Sequence, residues 1–421
     1  MTAERPYNFA PGPAMLPEPV LLRIQTELLN YHGCGWSILE AGHRSAEVSA
    51  LMRDLRARIR NLLAVPDNYD VLFCQGGGRM QFSMVPMNLL GAGTLSAYII
   101  TGSWSKAAAK EALRFGRVQT AFSGSGTRAP ADEEIEVIPE ASYCAYCDNE
   151  TIHGVEFPEP PTLAGAPAVP LVSDMSSNFM TRPVDVSRFG LIWAAAQKNF
   201  GVAGLTVVLL RRDLLGLAAA EVPTLLNYGV YSRTESVPNT VPVFQLYVAE
   251  LVAEWIDAQG GLARMDELAR IRSRLVYDAV AAMPDVYVSH IAPESRSRVN
   301  AVFRLRNESL TQTFVKEAAA AGLANLAGHR SVGGVRASMY NAMPVEGAEA
   351  LAAFMKTFAG RHPEASRTDA ASARAARSSR PTIPKTRSFR PRRSRIMRRF
   401  TKTSCACARC GAIRRLQICS R

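Results

Sequence analysis

The chain has 421 residues, 48% of them hydrophobic and 8% aromatic, which exceeds one ordinary domain and supplies ample apolar material for a packed core. No run approaches the roughly eighteen apolar residues of a membrane span, and Met1 to Phe9 lacks the apolar core of an export signal, so a cytoplasmic protein with no membrane partner is expected. The net charge of +12 sits at one end: Arg361 to Arg421 holds eighteen Lys and Arg against Glu364 and Asp369, leaving 31 bases and 35 acids in residues 1–360. The body is therefore mildly acidic, and nucleic acid is expected to meet the chain only nonspecifically, through the basic tail.

From Glu18 to Phe314 helical patterns alternate with short apolar runs, the signature of an α/β sheet covered by helices on both faces. Val48, Leu51, Leu55, Ile59 and Leu62 keep helical spacing. Val71–Cys74, Ala97–Ile100, Val169–Val172, Leu191–Ala194 and Leu205–Leu210 are short, apolar and bounded by Gly or polar residues, as buried strands are. Tyr143–Cys147 carries a Cys-x-x-Cys with no second pair at zinc-ligand spacing, so Cys144 and Cys147 are expected to be buried strand residues and no metal site is expected. An amphipathic helix over Phe244–Ala258 is expected to stop at Gly260-Gly261, with looser, α+β patterning beyond it. These elements predict a large, mainly parallel-sheet domain over residues 17–265 and a smaller α+β C-terminal domain over 266–360 that also takes up 1–16. Residues 361–421 form a basic tail rich in Ser, Ala and Pro, expected to be disordered because it cannot bury enough apolar surface to offset its ordering entropy.

Chemistry concentrates at the ends of the apolar runs. In Gly190 to Val208 one lysine, Lys198, interrupts two buried strands. Burial would lower its pKa and leave an uncharged amine able to attack an aldehyde, whereas a loop position would place its head in solvent. Asp174 closes the run from Val169, either as a helix cap or as a carboxylate opposite the ring nitrogen of a bound cofactor. Trp104 follows Ala97–Ile100, where it is either core or a platform for a flat ring. Gln75-Gly-Gly-Gly-Arg79 follows Val71–Cys74 and is either a tight turn or a set of free N–H groups aimed at a phosphate, with Arg79 adding charge. Two His-Arg pairs, His43-Arg44 and His329-Arg330, together with Arg336, suit anionic substrates, although each could equally be a surface pair.

The segments Asn8-Phe-Ala-Pro-Gly-Pro-Ala-Met-Leu-Pro17, Gly42-His-Arg44, Phe73-Cys-Gln-Gly-Gly-Gly-Arg79, Asn149-Glu-Thr-Ile-His-Gly154, Ala196-Gln-Lys-Asn199, Pro238-Asn-Thr240 and Gly328 to Pro344 together resemble the phosphoserine aminotransferase family, from about Tyr7 to about His362. The resemblance implies a fold-type I enzyme dependent on pyridoxal phosphate. It implies that Lys198 holds the cofactor covalently, Asp174 faces its ring nitrogen, Trp104 stacks on the ring and Thr151 meets its hydroxyl, while Gly78, Arg79 and Gln197 hold its phosphate. Asn239 and Thr240 match a pair supplied by a partner subunit, which implies a homodimer. Arg336 matches the residue that takes the substrate α-carboxylate, and His43, Arg44, His329 and Arg330 match the distal anion site. The implied reaction moves an amino group between L-glutamate and 3-phosphohydroxypyruvate in serine biosynthesis, with a second activity on the phosphohydroxythreonine precursor of pyridoxal phosphate. The tail has no counterpart in the family, and its abrupt onset resembles translation in a shifted reading frame.

Three other readings compete. A cysteine desulfurase would need a nucleophilic cysteine late in the body, and none lies between Cys147 and Cys405. A small-substrate, glyoxylate-type transaminase has no use for two His-Arg pairs. A nucleic-acid-binding protein would rest on the tail alone, with its Phe389-Arg-Pro-Arg-Arg-Ser-Arg run and its cluster of Cys405, Cys407 and Cys410.

Overall fold

The computed structural model describes residues 5–366 except Ala92; the expectations for the tail from residue 367 onward and for Met1 to Glu4 lie outside the described residues. In chain order the N-terminal part runs β1 (Tyr7–Asn8), α1 (Glu18–Glu27), α2 (Ala46–Leu63), β2 (Tyr69–Gln75), α3 (Gly78–Leu89), β3 (Leu95–Ile100), α4 (Ser103–Ala112), β4 (Arg117–Ser123), β5 (Cys144–Cys147), β6 (Asn149–Glu150) and β7 (Val155–Glu156). It continues through β8 (Leu171–Asp174), β9 (Leu191–Ala195), β10 (Leu205–Arg211), α5 (Tyr228–Arg233), α6 (Val243–Ala258) and α7 (Gly261–Ala282). The last stretch holds β11 (Tyr287–Val288), β12 (Asn300–Leu305), α8 (Thr311–Ala320), β13 (Leu323–Ala324), β14 (Val335–Ser338) and α9 (Val345–Arg361).

The main sheet has the order β2-β10-β9-β8-β5-β3-β4. Its neighbours pair in parallel except at β10, which runs against both β2 and β9. Strand side chains alternate between faces, and here both faces are dry. Val71, Phe73, Ile192, Ala194, Val207 and Leu209 join one apolar core with α2 and α6. Leu72, Cys74, Leu191, Trp193, Val208 and Leu210 join a second core with α3 and α4. Burial on both sides is why these strands read as unbroken apolar runs in the sequence.

The parallel arrangement brings the C-terminal ends of β2, β3, β5, β8 and β9 to one edge, where loops gather and ligands bind in sheets of this kind. A separate three-stranded sheet, β11-β12-β14, is covered by α7, α8 and α9 around a third core, which Phe9 enters from the N-terminus. β1 pairs in parallel with β13 beside it. All described residues fall within one compact unit.

Three expectations change in detail. The helix of Val48 ends its buried row on Leu63 rather than Leu62, since four residues from Ile59 returns to the same face. The chain does not loosen after Gly260: α7 begins at once, with Met265 buried inside it. Ordered structure also passes residue 360, where the tail was expected to begin, because α9 runs through Arg361 and a further turn spans Pro363–Ser366.

The third core is built on Phe314, which is fully buried and meets Phe354 and Phe358 of α9 at 5.1 and 5.0 Å between ring centroids and Phe303 of β12 at 6.1 Å. Phe314→Ala is expected to cost about 3–5 kcal/mol, the usual loss for a phenylalanine that leaves a cavity, read from denaturant unfolding. A change below about 1 kcal/mol would mean that α8 is not part of this core.

Candidate active site

The sheet edge holds a cavity of about 420 Å³ walled by loop and strand ends. Lys198 reaches it from the turn after β9, and its Nζ donates to Thr151 Oγ1 at 2.8 Å and lies 5.9 Å from the centre of the Trp104 ring. Burial pushes the Lys198 amine below its ordinary pKa, and the charge of Asp174 pulls the other way. Asp174, the last residue of β8, lines the same cavity; burial raises its carboxyl, opposed by the hydrogen bond from Ser176 and by Lys198. Its Oδ1 accepts from Ser176 N at 2.9 Å, which fixes the carboxylate direction. Both groups are thus drawn toward their neutral forms, the condition under which a lysine can act as a nucleophile.

Around this pair the wall carries groups that still lack partners. Gln197 Oε1 and Trp104 Nε1 are buried with no hydrogen-bond partner among the described residues, as is Nε of the nearby Arg336. Gly78 and Arg79 open α3, whose first N–H groups have no intrahelical acceptor, and both residues line the cavity. At Gly78 an added Cβ would come within 2.9 Å of Ser176 Oγ and 3.3 Å of Ala195 Cβ, so only glycine lets the helix end approach so closely. A bare helix N-terminus at one end, a carboxylate and an aromatic ring along the sides, and an amine that burial draws toward its neutral form suit a flat, phosphate-bearing aldehyde. The residues present fit pyridoxal phosphate.

Arg336, on β14, is buried and its Nη1 donates to Thr151 O at 3.3 Å, which brings it to the same end of the cavity as Lys198. His329 follows in the loop before β14; burial, then the charges of Arg336 and Arg330, keep its pKa below the ordinary histidine value. Arg336, His329 and Arg330 thus form one electrostatically coupled strip, in which the two arginines carry the charge. His43 and Arg44 do not join it, because they line another cavity of about 880 Å³ with Arg53, Arg56 and Arg233. Asn239 and Thr240 also lie outside the Lys198 cavity, where Gln75 Nε2 donates to Asn239 Oδ1 at 2.6 Å and to Thr240 O.

Several cavity residues escaped the sequence reading: Phe82, Cys147, Asn149, Ser176, Ser177 and Ala195. Cys144 and Cys147 are buried strand residues as expected, and burial pushes the Cys144 thiol up to about 12. Glu150 was also missed. It is buried and accepts from Trp104 N at 2.9 Å, Ser105 N at 2.8 Å and Ser105 Oγ at 2.7 Å, so it caps α4 and thereby holds the Trp104 backbone. No sequence signal marks it, because it stands among the polar residues Asp148, Asn149 and Thr151.

Comparison with known proteins agrees with this geometry. The family model for aminotransferase class-V matches residues 6–351. A phosphoserine aminotransferase of Laribacter hongkongensis is 48% identical over 359 residues, which is 85% of this chain and 99% of that relative. The structure of the phosphoserine aminotransferase from Bacillus circulans subsp. alkalophilus superposes with a TM-score of 0.82 at 42% identity, covering 85% of this chain and 99% of that one. The PLP-bound phosphoserine aminotransferase of Trichomonas vaginalis gives 0.80 at 38% identity, covering 84% of this chain and all of that one. The chain belongs to the class-V aminotransferase family.

Proposed function

We propose that this chain is a phosphoserine aminotransferase, moving an amino group between L-glutamate and 3-phosphohydroxypyruvate to give O-phospho-L-serine and 2-oxoglutarate, with pyridoxal phosphate as cofactor. The observation that carries the reading is the pairing of a buried, neutral-leaning Lys198 with Asp174 in one cavity, next to the cationic strip of Arg336, His329 and Arg330. When bound, the pyridine ring would serve as an electron sink for the substrate Cα and carry the amino group between the two substrates.

The protein's own residues supply the rest. Asp174 would keep the ring nitrogen protonated. Thr151 would steer the Lys198 amine and meet the neighbouring ring hydroxyl, while Trp104 covers one ring face. The α3 N-terminus with Gly78, Arg79 and Gln197 would hold the phosphate. Arg336 would fix the α-carboxylate, and Lys198 Nζ would then take the Cα proton and return it at the other carbon. Glutamate and the phosphorylated keto acid share a carboxylate next to the reacting carbon and an anion at the far end, so one cationic strip can serve both.

We infer a homodimer on the same footing. Asn239 and Thr240, with His43 and Arg44, stand outside the cavity of their own chain, and the family pattern takes the first pair from a second copy. The division into a large domain over residues 17–265 and a smaller one over 1–16 and 266–360 is likewise a proposal, supported by the separate core around Phe314. Among the described residues no helix is long and apolar enough to cross a membrane; a cytoplasmic setting and the second activity, on the phosphohydroxythreonine precursor, are proposed with the main function.

Lys198→Ala is expected to abolish transamination and the yellow imine absorbance of the purified protein while leaving it folded, because this lysine supplies chemistry and little packing. Normal turnover in that variant would remove the assignment. Arg336→Ala is expected to raise KM about tenfold or more for glutamate and keto acid alike, as the loss of a charge-assisted bond to a group both share. Arg330→Ala should instead weaken phosphorylated keto acids more than phosphate-free ones, and equal losses for the two kinds would show the division of roles to be wrong.

A further inference from the structure

The segment Asn8 to Pro17 carries part of the family resemblance yet has no part in the chemistry above. Its Pro11-Gly12-Pro13 stretch lies against the stem of Lys198. A Cβ on Gly12 would come within 3.2 Å of Lys198 Cγ and 3.8 Å of Lys198 Cε. Gly12 also has φ of +129°, a conformation that residues with a side chain enter only under strain. The bare backbone of this one residue is what lets the loop lie flush on the lysine.

The loop is fastened on both sides of Gly12. Ala14 N donates to Gln197 O at 2.9 Å, which ties the loop to the residue before Lys198. Tyr340 Oη donates to Pro11 O at 2.7 Å. Tyr340 is buried and stands just past the end of β14, the strand that carries Arg336. Its hydroxyl accepts in turn from Asn300 Nδ2 at 3.4 Å, and Asn300 Oδ1 accepts from Asn149 Nδ2 at 2.7 Å, so the clamp reaches back to a residue of the cavity wall. The rings of Pro11 and Pro13 fix φ on either side of Gly12 and stiffen the loop.

Lys198 is thus held at two points. Thr151 Oγ1 accepts from its Nζ at 2.8 Å, and the loop occupies the space beside its Cγ. The first hold is given up whenever the amine turns to another partner. The second stays, and it excludes side-chain rotamers that would carry the stem toward the loop.

We propose that Gly12 and Tyr340 are positioning residues for the reaction: Gly12 walls the Lys198 stem, and Tyr340 holds that wall through Pro11, so that Nζ stays directed into the cavity after it leaves Thr151. The inference rests on the role of Lys198 in the function proposed above and deepens it. A misplacement of about 1 Å at the reacting atoms can cost on the order of a hundredfold in rate, so a loop that shifts by part of that distance is felt in turnover before it is felt in substrate affinity.

Gly12→Ala pushes a methyl group at the stem, whereas Tyr340→Phe keeps the buried ring and removes only the hydroxyl that holds Pro11. Each variant is read first as apoprotein. Capture of added pyridoxal phosphate, in which the Lys198 nitrogen forms a C=N bond with the aldehyde carbon and the aldehyde oxygen leaves as water, is followed at the imine absorbance. Inorganic phosphate, which the α3 N-terminus would bind without Lys198, is titrated by calorimetry. The capture rate should fall about tenfold in both variants, while the dissociation constant of phosphate stays within about twofold. In the holoenzyme kcat should fall by a similar factor, with KM for glutamate moving less than about threefold. Capture and phosphate binding weakened together would mean a cavity disturbed as a whole, a raised KM at normal kcat would put the effect on Arg336, and unchanged constants would leave the loop a packing element; each of these overturns the proposal. Should Gly12→Ala fail to fold, Tyr340→Phe decides on the same readings. Wild-type protein that captures pyridoxal phosphate normally but does not transaminate 3-phosphohydroxypyruvate would instead defeat the proposed function and leave the positioning role to be decided by the capture rates.

Discussion

The structure depends on keeping an amine and a carboxylate dry in one cavity. Lys198 and Asp174 stand at the ends of adjacent parallel strands, and the register that sets Asp174 opposite Trp193 also sets the distance from β8 to the turn that carries Lys198. Desolvation alone would expel or neutralise both groups, so the surroundings must hold them by specific bonds. Ser176 N holds the carboxylate, and Thr151 Oγ1 accepts from the amine. The turn itself is braced one residue on: Asn199 Nδ2 donates to Ser177 O at 2.8 Å, and Asn341 N donates to Asn199 Oδ1 at 3.0 Å. Arg272, buried in α7 with no acidic partner among the described residues, donates to Met343 O at 2.8 Å and so steadies the loop that carries Asn341. The reactive lysine is therefore positioned from the C-terminal core as well as from its own sheet.

How much of this could be read from the sequence follows from what each element buries. Strands dry on both faces announce themselves as apolar runs: four of the five expected runs lie within strands of the main sheet, and the fifth, Val169–Val172, overlaps β8 at Leu171 and Val172. β4 gave no such signal because it is an edge strand in which Ala121 alone is buried. α7 was missed for a different reason: its buried face includes Arg272 and Ser273 among Leu262, Met265, Ala269 and Val276, so polar residues interrupt the periodic apolar row. The residues at the strand ends, Gly78, Arg79, Trp104, Asp174 and Lys198, were legible because topology sends them to one edge, whereas Gln197 and Thr151 came only from the family resemblance; all of them line one cavity. The partners that anchor them were not legible. Glu150, Ser176 and Asn199 act through main-chain groups whose positions exist only once the chain has folded.

Buried ion pairs tie the two sides of the cavity in a way composition could not reveal. Arg182 meets Asp148 at 3.0 Å, while Arg298 meets Glu156 at 2.9 Å and Asp266 of α7 at 2.7 Å. Burial works to raise the Glu156 carboxyl, yet Arg298 outweighs it and holds the pKa below the ordinary range. Such pairs add little net stability against an apolar replacement, but removing one partner is severe because the other stays buried and charged. They join the Asp148 to Glu156 segment, which carries Asn149 and Thr151, to the region of α7 and β12. The geometry around Thr151 is thereby tied to the same core that holds Arg336.

Local charge also explains how a body of net −4 over residues 1–360 can be built for anionic substrates. The acids near the cavity are already committed: Asp174 is bonded by Ser176 and opposes Lys198, and Glu150 is consumed by three donors at the head of α4. The bases are not. Arg336 keeps an unpartnered Nε, and burial lowers its pKa with no carboxylate to restore it. At a buried site an unpaired guanidinium costs free energy until an anion arrives, so part of the binding energy of a carboxylate or phosphate comes from relieving that cost. Exposed acids such as Glu18, Asp132 and Glu133 are screened by solvent and salt within about 10 Å, and they leave the attraction inside the cavity intact.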